Sequence, residues 1–495
     1  RHSGLRGSVV RRPPLRKCGA LLASLLVLLA LPALPAGAAG APRHVKLTWQ
    51  GDPHTGVTVT WHTDDDMAGY KATVKYGTVA GNHPNTATGS SHSYSGDTVD
   101  VHDVELTGLS PGTKYYYVCG DPVQGWSPEK SFTTPANDNN GYTFVAFGDS
   151  RDGFWPFESG DNRNFEVWGE VAGLVAAEKP LFCLFGGDMV RDGGSESKWN
   201  LWYDKLAPLS CGAPFMPCHG NHENYQDAYF ERFALPGNER WFSFDVGNAH
   251  YVFLDTGVSD NEPGLIAEQA PWLERDLAAA SAMDYDWIIV NLHRSAYAAG
   301  GHGLMDDIVD SWVPLFEKYK VDLVFGGHDH FYERTFPLLR GVPTDDELYH
   351  YTDPEGPIYV TTGGAGAPID RTQPADFLAE RYEDYHYCLV RLGPGRKLDV
   401  KVKLRSGNLA DHFEIRKPAK PVVTSVAPDS AAVGKTVTLK GDHFGRQKWS
   451  SSVRFGNTLA KDYVSWSDDE IKVKVPQRPQ GSAPVSVTTV EGESE

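Results

Sequence analysis

VDLVFGGHDHFYER, residues 321–334, decides how the rest of the chain reads. Its opening VDLVF suits a buried strand. Gly326 and Gly327 close that run, and two imidazoles follow, His328 and His330, with Asp329 between them. In an extended segment alternate side chains point the same way, so both histidines can face one cavity. Open α/β sheets bind ligands at the carboxyl ends of their strands, where these residues would lie.

Other apolar runs end alike. YTFVAFGD leads to Asp149, PLFCLFGGDM to Asp188, PCHGNHEN to Asn221 and His222, and DWIIVNLH to His293. Between such runs lie stretches of helical period. In NFEVWGEVAGLVAAEK, Trp168, Val171, Ala172 and Val175 share a face. APWLERDLAAASA and MDDIVDSWVPLFEKYK behave similarly. Residues 141–416 therefore predict an α/β domain whose strands are covered on both faces. A single GD or GNH after a strand is an ordinary turn or helix cap. Five such motifs in a row, each after an apolar run, are not explained that way.

Carboxylates, an amide oxygen and imidazoles together suit borderline divalent or trivalent metals. Asp149, Asp188, Asn221, His293, His328 and His330 are more donors than one ion needs. Two ions sharing a carboxylate would each take three or four and keep open positions for water and substrate.

Both flanks change character. Residues 42–135 read as short alternating strands, among them HVKLTWQ, GVTVTWHT and KYYYVCG, at the turn spacing of a β-sandwich. PANDNNG, 135–141, is a linker. Strand patterning returns over 420–495. A chain of 495 residues is too long for one core, so about three domains are expected. The net charge of −18 argues against binding a nucleic-acid backbone by general electrostatics. A small phosphorylated substrate remains compatible, because bound metals can dominate the local field.

Residues 1–40 have the form of a signal peptide. A basic region precedes ALLASLLVLLALPAL, and Ala36-Gly37-Ala38 suits a cleavage site. RRPPLRK, 11–17, is similar to a twin-arginine signal, and ordinary export fits equally. The expected location is secreted, periplasmic or cell-surface, with no membrane span. Of the cysteines beyond Cys18, Cys211 and Cys218 are the best-placed pair, although sequence alone does not fix the pairing. Cys183 reads as a buried thiol.

The order GD…GGD…GNHE…H…GHDH resembles the calcineurin-like metallophosphoesterases, and within them the purple acid phosphatases. GHDHFYER, the following TTGGAG and a preceding sandwich domain carry the narrower likeness. Leu109-Ser-Pro111-Gly-Thr113-Lys-Tyr115 resembles the tyrosine corner of fibronectin type III domains. Residues 420–495 resemble an IPT/TIG domain through Pro428, Gly434, the 441–445 turn, Trp466 and Pro476. The resemblance implies a central α/β metallophosphoesterase β-sandwich flanked by helices, with all-β immunoglobulin-like sandwiches at both ends. It also implies a phosphomonoesterase with two metal ions, iron, zinc or manganese. One would be held by Asp149, Asp188 and His330, the other by Asp188, Asn221, His293 and His328, and a metal-bound hydroxide would attack phosphorus. His222 and His302 match histidines that contact phosphate or protonate the leaving group, while His219 reads as structural.

Two departures stand out. The family places an iron-binding tyrosine three residues after the shared aspartate, where this chain has Arg191. Other metallophosphoesterases place a histidine where it has Arg151. The first metal is one protein ligand short, and no tyrosinate colour is expected. Asp152 and Asn164 are weak substitutes. Arg151, with its planar fork, suits either a phosphate oxygen or a salt bridge. Two other functions fit the same residues: a phosphodiesterase or nucleotide hydrolase, and a surface protein that contacts polysaccharide through its end domains around a weak or inactive core.

Overall fold

The computed structural model describes residues 41–495 apart from 65–68, 94–98, 138–139, 154–164, 284, 445–447, 449–450, 478–480, 490–491 and 495. The export segment expected at 1–40 lies outside the described residues, as does Asn164. No helix among the described residues is long and apolar enough to cross a membrane.

Residues 43–133 fold as two antiparallel sheets. Arg43–Thr48, Val57–Asp64, Val99–Leu106 and Ser90–His92 make one, and Asn85–Thr88, Thr73–Gly77, Lys114–Asp121 and Gly125–Trp126 the other, with Lys130–Thr133 also paired to Lys114–Asp121. Tyr115 Oη accepts the Ser110 N–H at 2.9 Å, tying strand to loop. Val57, Val59 and Trp61 are buried, but so are Thr58, Thr60 and His62 on the opposite face. That second face is covered by the next domain. The His62 ring lies 5.1 Å from the Tyr203 ring, and Trp49 lies 5.2 Å from Phe182 and 5.3 Å from Phe244.

The central domain is built on two seven-stranded sheets. The first runs Phe215–Pro217, Cys183–Phe185, Tyr142–Phe147, His386–Gly393, Lys397–Leu404, Leu409–Arg416, His350–Thr352. The second runs Phe242–Val246, Ala249–Phe253, Trp287–Arg294, Leu323–Gly327, Ile358–Thr362, Tyr332–Thr335, Leu378–Tyr382. The strands that end in the metal-type residues pair in parallel within each sheet.

Side-chain alternation assigns the two faces of each sheet. Phe144 points between the sheets, 5.5 Å from Tyr251 and 6.4 Å from Phe325. Phe147 and Phe185 point out, 5.8 and 5.7 Å from Trp168 of helix Glu166–Glu178. Trp202 of helix Glu196–Ser210 stacks on Trp168 at 5.4 Å. On the far side Ile288, Val290, Leu292 and Val324 pack with Leu273 and Leu277 of helix Pro263–Met283. Each such buried Val, Leu, Ile or Phe contributes roughly 1.5–3 kcal/mol. Helices thus supply one of the two covers expected for these strands, and the partner sheet supplies the other.

Residues 422–493 form two four-stranded sheets around Leu439, Phe444, Val453, Ile471 and Val487. The Trp466 indole N–H donates to Phe444 O at 2.8 Å. Cys211 and Cys218 are not joined: both are free thiols, like Cys119, Cys183 and Cys388. The extended strand Phe215–Pro217 stands between them. Cys183 is buried, as expected.

Candidate metal centre

The apolar strands deliver their polar ends to one place. Asp149 follows Tyr142–Phe147, Asp188 follows Cys183–Phe185, Asn221 and His222 follow Phe215–Pro217, His293 lies in Trp287–Arg294, and His328 and His330 follow Leu323–Gly327. Three of these residues are left-handed: Asp149 (φ 61°), Asp188 (φ 56°) and His328 (φ 72°). Such backbone costs of order 1 kcal/mol or more per residue and is concentrated at functional sites. It turns each side chain sharply back over its strand end. The neighbouring glycines leave the room this requires. A Cβ at Gly327 would lie 2.1 Å from Asp149 Oδ2, and one at Gly220 would lie 2.4 Å from Asp188 Oδ1.

One ligand atom from each of Asp149, Asp188 and His330 lies within 4.8 Å of the others. His330 Nε2 is 3.7 Å from Asp149 Oδ1. Beside them His293 Nε2 approaches Asn221 Oδ1 at 2.8 Å and Asp188 Oδ1 at 3.4 Å, and His328 Nδ1 lies 3.0 Å from Asn221 Oδ1. Asp188 thus borders both groups. His222 Nε2 and Arg151 Nε face Asp188 Oδ2 at 3.8 and 3.7 Å. Every metal-type residue read from the sequence is in this cluster, and the cleft above it, of about 320 Å³, is also lined by Arg151, His222 and His302.

The donor set suits metal ions, judged by where the imidazole protons go. His293 Nδ1 donates to Gly186 O at 2.6 Å and His330 Nδ1 to Pro368 O at 2.9 Å. The Nε2 lone pair of His293 is then directed at Asn221 and Asp188, and that of His330 at Asp149. His328 is reversed: Nε2 donates to Asp260 Oδ1 at 2.9 Å, which leaves Nδ1 for the centre. Lone pairs therefore meet the amide oxygen of Asn221 and the carboxylate oxygens of Asp188 and Asp149, an arrangement that a cation relieves. Burial holds His328 near 3 and His330 near 4, so both are neutral, as ligation requires. Burial and the charge of Asp188 push Asp149 well above the usual carboxylate range. Burial acts the same way on Asp188, but His293, His222 and Arg151 outweigh it and hold that carboxyl low.

Three residues not read from the sequence support the site. Glu223, fully buried, accepts the backbone N–H groups of Asp188 (2.9 Å), Met189 (2.8 Å), Val190 (3.4 Å) and Gly220 (2.8 Å). It closes the GNHE motif, so a signal existed. Asp260 bridges His328 and His302, the latter at 3.2 Å from Nδ1. Asp370 lies 3.2 Å from His330 Nδ1. Asp260 belongs to a polar loop with no motif around it, and Asp370 lies four residues past TTGGAG. Asp152 is turned away to pair with Lys198, and so does not complete the first set. His219 is a packing residue: Nε2 accepts the Tyr225 N–H at 3.0 Å, and the two rings stack at 4.3 Å.

Comparison with known proteins agrees. Residues 42–134 match the purple acid phosphatase N-terminal domain, 116–332 the calcineurin-like phosphoesterase domain and 421–494 the IPT/TIG domain. Acid phosphatase type 7 of Mus musculus is 30% identical over 423 residues, covering 76% of this chain and 91% of that protein. Purple acid phosphatase 23 of Arabidopsis thaliana is 30% identical over 302 residues, covering 54% and 62%. The structure of a purple acid phosphatase from yellow lupin (Lupinus luteus) seeds superposes with a TM-score of 0.67 at 21% identity, covering 77% of this chain and 75% of that one.

Proposed function

Because the chain belongs to the purple acid phosphatases of the calcineurin-like phosphoesterase family, and is a metal-dependent phosphatase, we propose that it hydrolyses phosphate monoesters after export from the cytoplasm. The observation that carries this reading is the buried carboxylate pair, Asp149 and Asp188, ringed by His293, His328, His330 and Asn221 beneath a cleft also lined by Arg151, His222 and His302. The first ion would be held by Asp149, Asp188 and His330, the second by Asp188, Asn221, His293 and His328. Iron, zinc or manganese bound by these residues would supply a water of lowered pKa and offset charge on the phosphoryl oxygens.

The chain's own side chains do the rest. Arg151, mostly buried over Asp188, grips a phosphoryl oxygen through its guanidinium fork. A monoester dianion gives it one more charged oxygen than a diester does. His222 donates Nδ1–H to Arg191 O at 2.7 Å, which fixes the ring with Nε2 toward the phosphate. His302 is oriented by Asp260 and, when protonated, gives its proton to the departing oxygen. Export is supported by the basic, apolar and small-residue order of residues 1–40.

Elemental analysis of purified protein, with phosphate release from p-nitrophenyl phosphate and bis-p-nitrophenyl phosphate, tests the reading. Two metal equivalents and a clear preference for the monoester are expected. A preference for the diester would assign the site to phosphodiesters, and absence of bound transition metal would leave a surface-binding protein. Sequencing of the secreted protein is expected to find a new terminus at Ala39.

A further inference from the structure

His302 lies on a glycine-rich loop, Ala298-Ala299-Gly300-Gly301-His302, which has no regular secondary structure to hold it. Its ring is part-exposed, yet it sits 3.9 Å from the His328 ring over the cleft. Asp260 meets its Nδ1 at 3.2 Å, and the backbone that carries the ring needs a restraint of its own.

The restraint comes from the segment that carries the metal-type histidines. Strand Tyr332–Thr335 continues from them, and alternation divides its side chains. Tyr332 and Arg334 turn inward to Asp411, at 2.7 and 2.6 Å. Glu333 turns the other way. It is 1% exposed, and Oε2 accepts the Ala299 N–H at 2.8 Å while Oε1 accepts the Thr372 hydroxyl. The opposite side of the Ala299 peptide is also held, since Ala299 O accepts the Gln373 N–H at 3.2 Å. Two residues nearer the metals, Phe331 leaves the loop no lateral room. A Cβ on Gly300 would stand 2.4 Å from the Phe331 ring and 2.7 Å from Asp329 Oδ1. Asp329, buried between the two histidines, faces the backbone N–H of His302.

We propose that Glu333, with Phe331 and Asp329, latches loop 298–302 so that His302 is fixed over the leaving-group side of the cleft. Glu333 is thus a positioning residue for proton donation, and HDHFYE is one device that serves metal binding with one face and the acid loop with the other. This rests on His302 being the proton donor. Glu333→Ala removes both acceptors. Glu333→Gln keeps one oxygen for the Ala299 N–H and an amide that can donate to the Thr372 hydroxyl.

The test uses the metal-loaded full chain and compares kcat on p-nitrophenyl phosphate, a good leaving group, with kcat on an alkyl phosphate, a poor one. Metal content and unfolding midpoint are measured alongside. Glu333→Ala is expected to keep two metal equivalents and to lose about tenfold or more in kcat on the alkyl ester, with little change on the nitrophenyl ester. Glu333→Gln is expected to restore the alkyl rate. Gly300→Ala, which pushes the loop from its other side and leaves Glu333 intact, should reproduce the leaving-group signature. His302→Ala separates the two ideas. Loss confined to the alkyl ester in His302→Ala but absent in Glu333→Ala and Gly300→Ala overturns the latch. No leaving-group dependence in His302→Ala overturns the donor assignment itself. Equal losses on both esters, or lost metal, in Glu333→Ala would also refute the latch.

Discussion

Replacing Glu223 by glutamine tests whether the metal centre depends on a carboxylate that touches no metal. Its Oε1 accepts the N–H groups of Met189 and Val190, and its Oε2 those of Asp188 and Gly220. Glutamine keeps one oxygen and presents an NH₂ to the other pair. Two buried N–H groups then lose their acceptor and meet a donor. At roughly 1–3 kcal/mol for each unsatisfied buried group, the cost in a rigid site is about 2–6 kcal/mol. The loops at 188–190 and 220 can shift to relieve part of it, and those loops carry Asp188 and precede Asn221. Relief therefore comes at the expense of ligand geometry. Losing such an outer partner typically weakens metal binding about 10–100-fold. Titration of the metal-free protein with Zn²⁺ or Mn²⁺ against a competing chelator should show that loss for Glu223→Gln, with a lower unfolding midpoint in the metal-free state. Unchanged affinity and midpoint would mean that Glu223 merely fills space and that the loops are held by their own backbone contacts.

Asp188 borders both ligand groups, so Asp188→Ala is expected to lose both metals and all turnover, read by elemental analysis and phosphate release; retention of one full equivalent would mean that the two sites do not share it. With Arg191 at the tyrosine position, the iron-loaded protein is expected to show no tyrosinate charge-transfer band in the visible, whereas Arg191→Tyr should introduce one. His250 lies between Asp245 at 2.7 Å and Asp276 at 2.9 Å. Burial disfavours its charge, but the two carboxylates outweigh burial and raise it to about 9. A pKa raised on folding from 6.5 stabilises fully below 6.5, and that contribution fades as the pH rises through 9, a change of about 3 kcal/mol. Unfolding midpoints at pH 6 and pH 10 should therefore differ more in the parent than in His250→Gln, and equal differences would remove the paired imidazolium from the account.

Much of this architecture was legible because local and global signals agree. Continuous apolar runs such as YTFVAF and LFCLF reported strands buried on both faces, and periodic Trp168, Val171 and Val175 reported the helix laid over them. What covers the other face of a strand was not legible. A run reads alike whether a helix or a second sheet meets it, and only pairing over long sequence distances put Phe144 against Tyr251 and Phe325. The cysteines show the same limit. Cys211 and Cys218 are near in sequence, but separation in space depends on the strand set between them, and that strand enters a sheet.

The site was readable where the backbone needs special chemistry and unreadable where a side chain crosses from another loop. Glycines adjoin Asp188, Asn221 and His328 because a Cβ there collides with a ligand residue, and Gly148 before Asp149 because a Cβ would crowd the Gly186 backbone, so sterics wrote the motif into consecutive positions. Asp260 is written nowhere near its partners: it reaches His328 across 68 positions and His302 across 42. Sequence spacing carries no trace of such a contact, because the intervening helix Pro263–Met283 and strand Trp287–Arg294 can change length without moving the loop that holds it. Proton placement on the imidazoles is hidden for the same reason. Gly186 O and Pro368 O select Nε2 on His293 and His330, whereas Asp260 selects Nδ1 on His328. Identical residues in one motif thus present different nitrogens, and the choice is made by acceptors that only the assembled fold brings within reach.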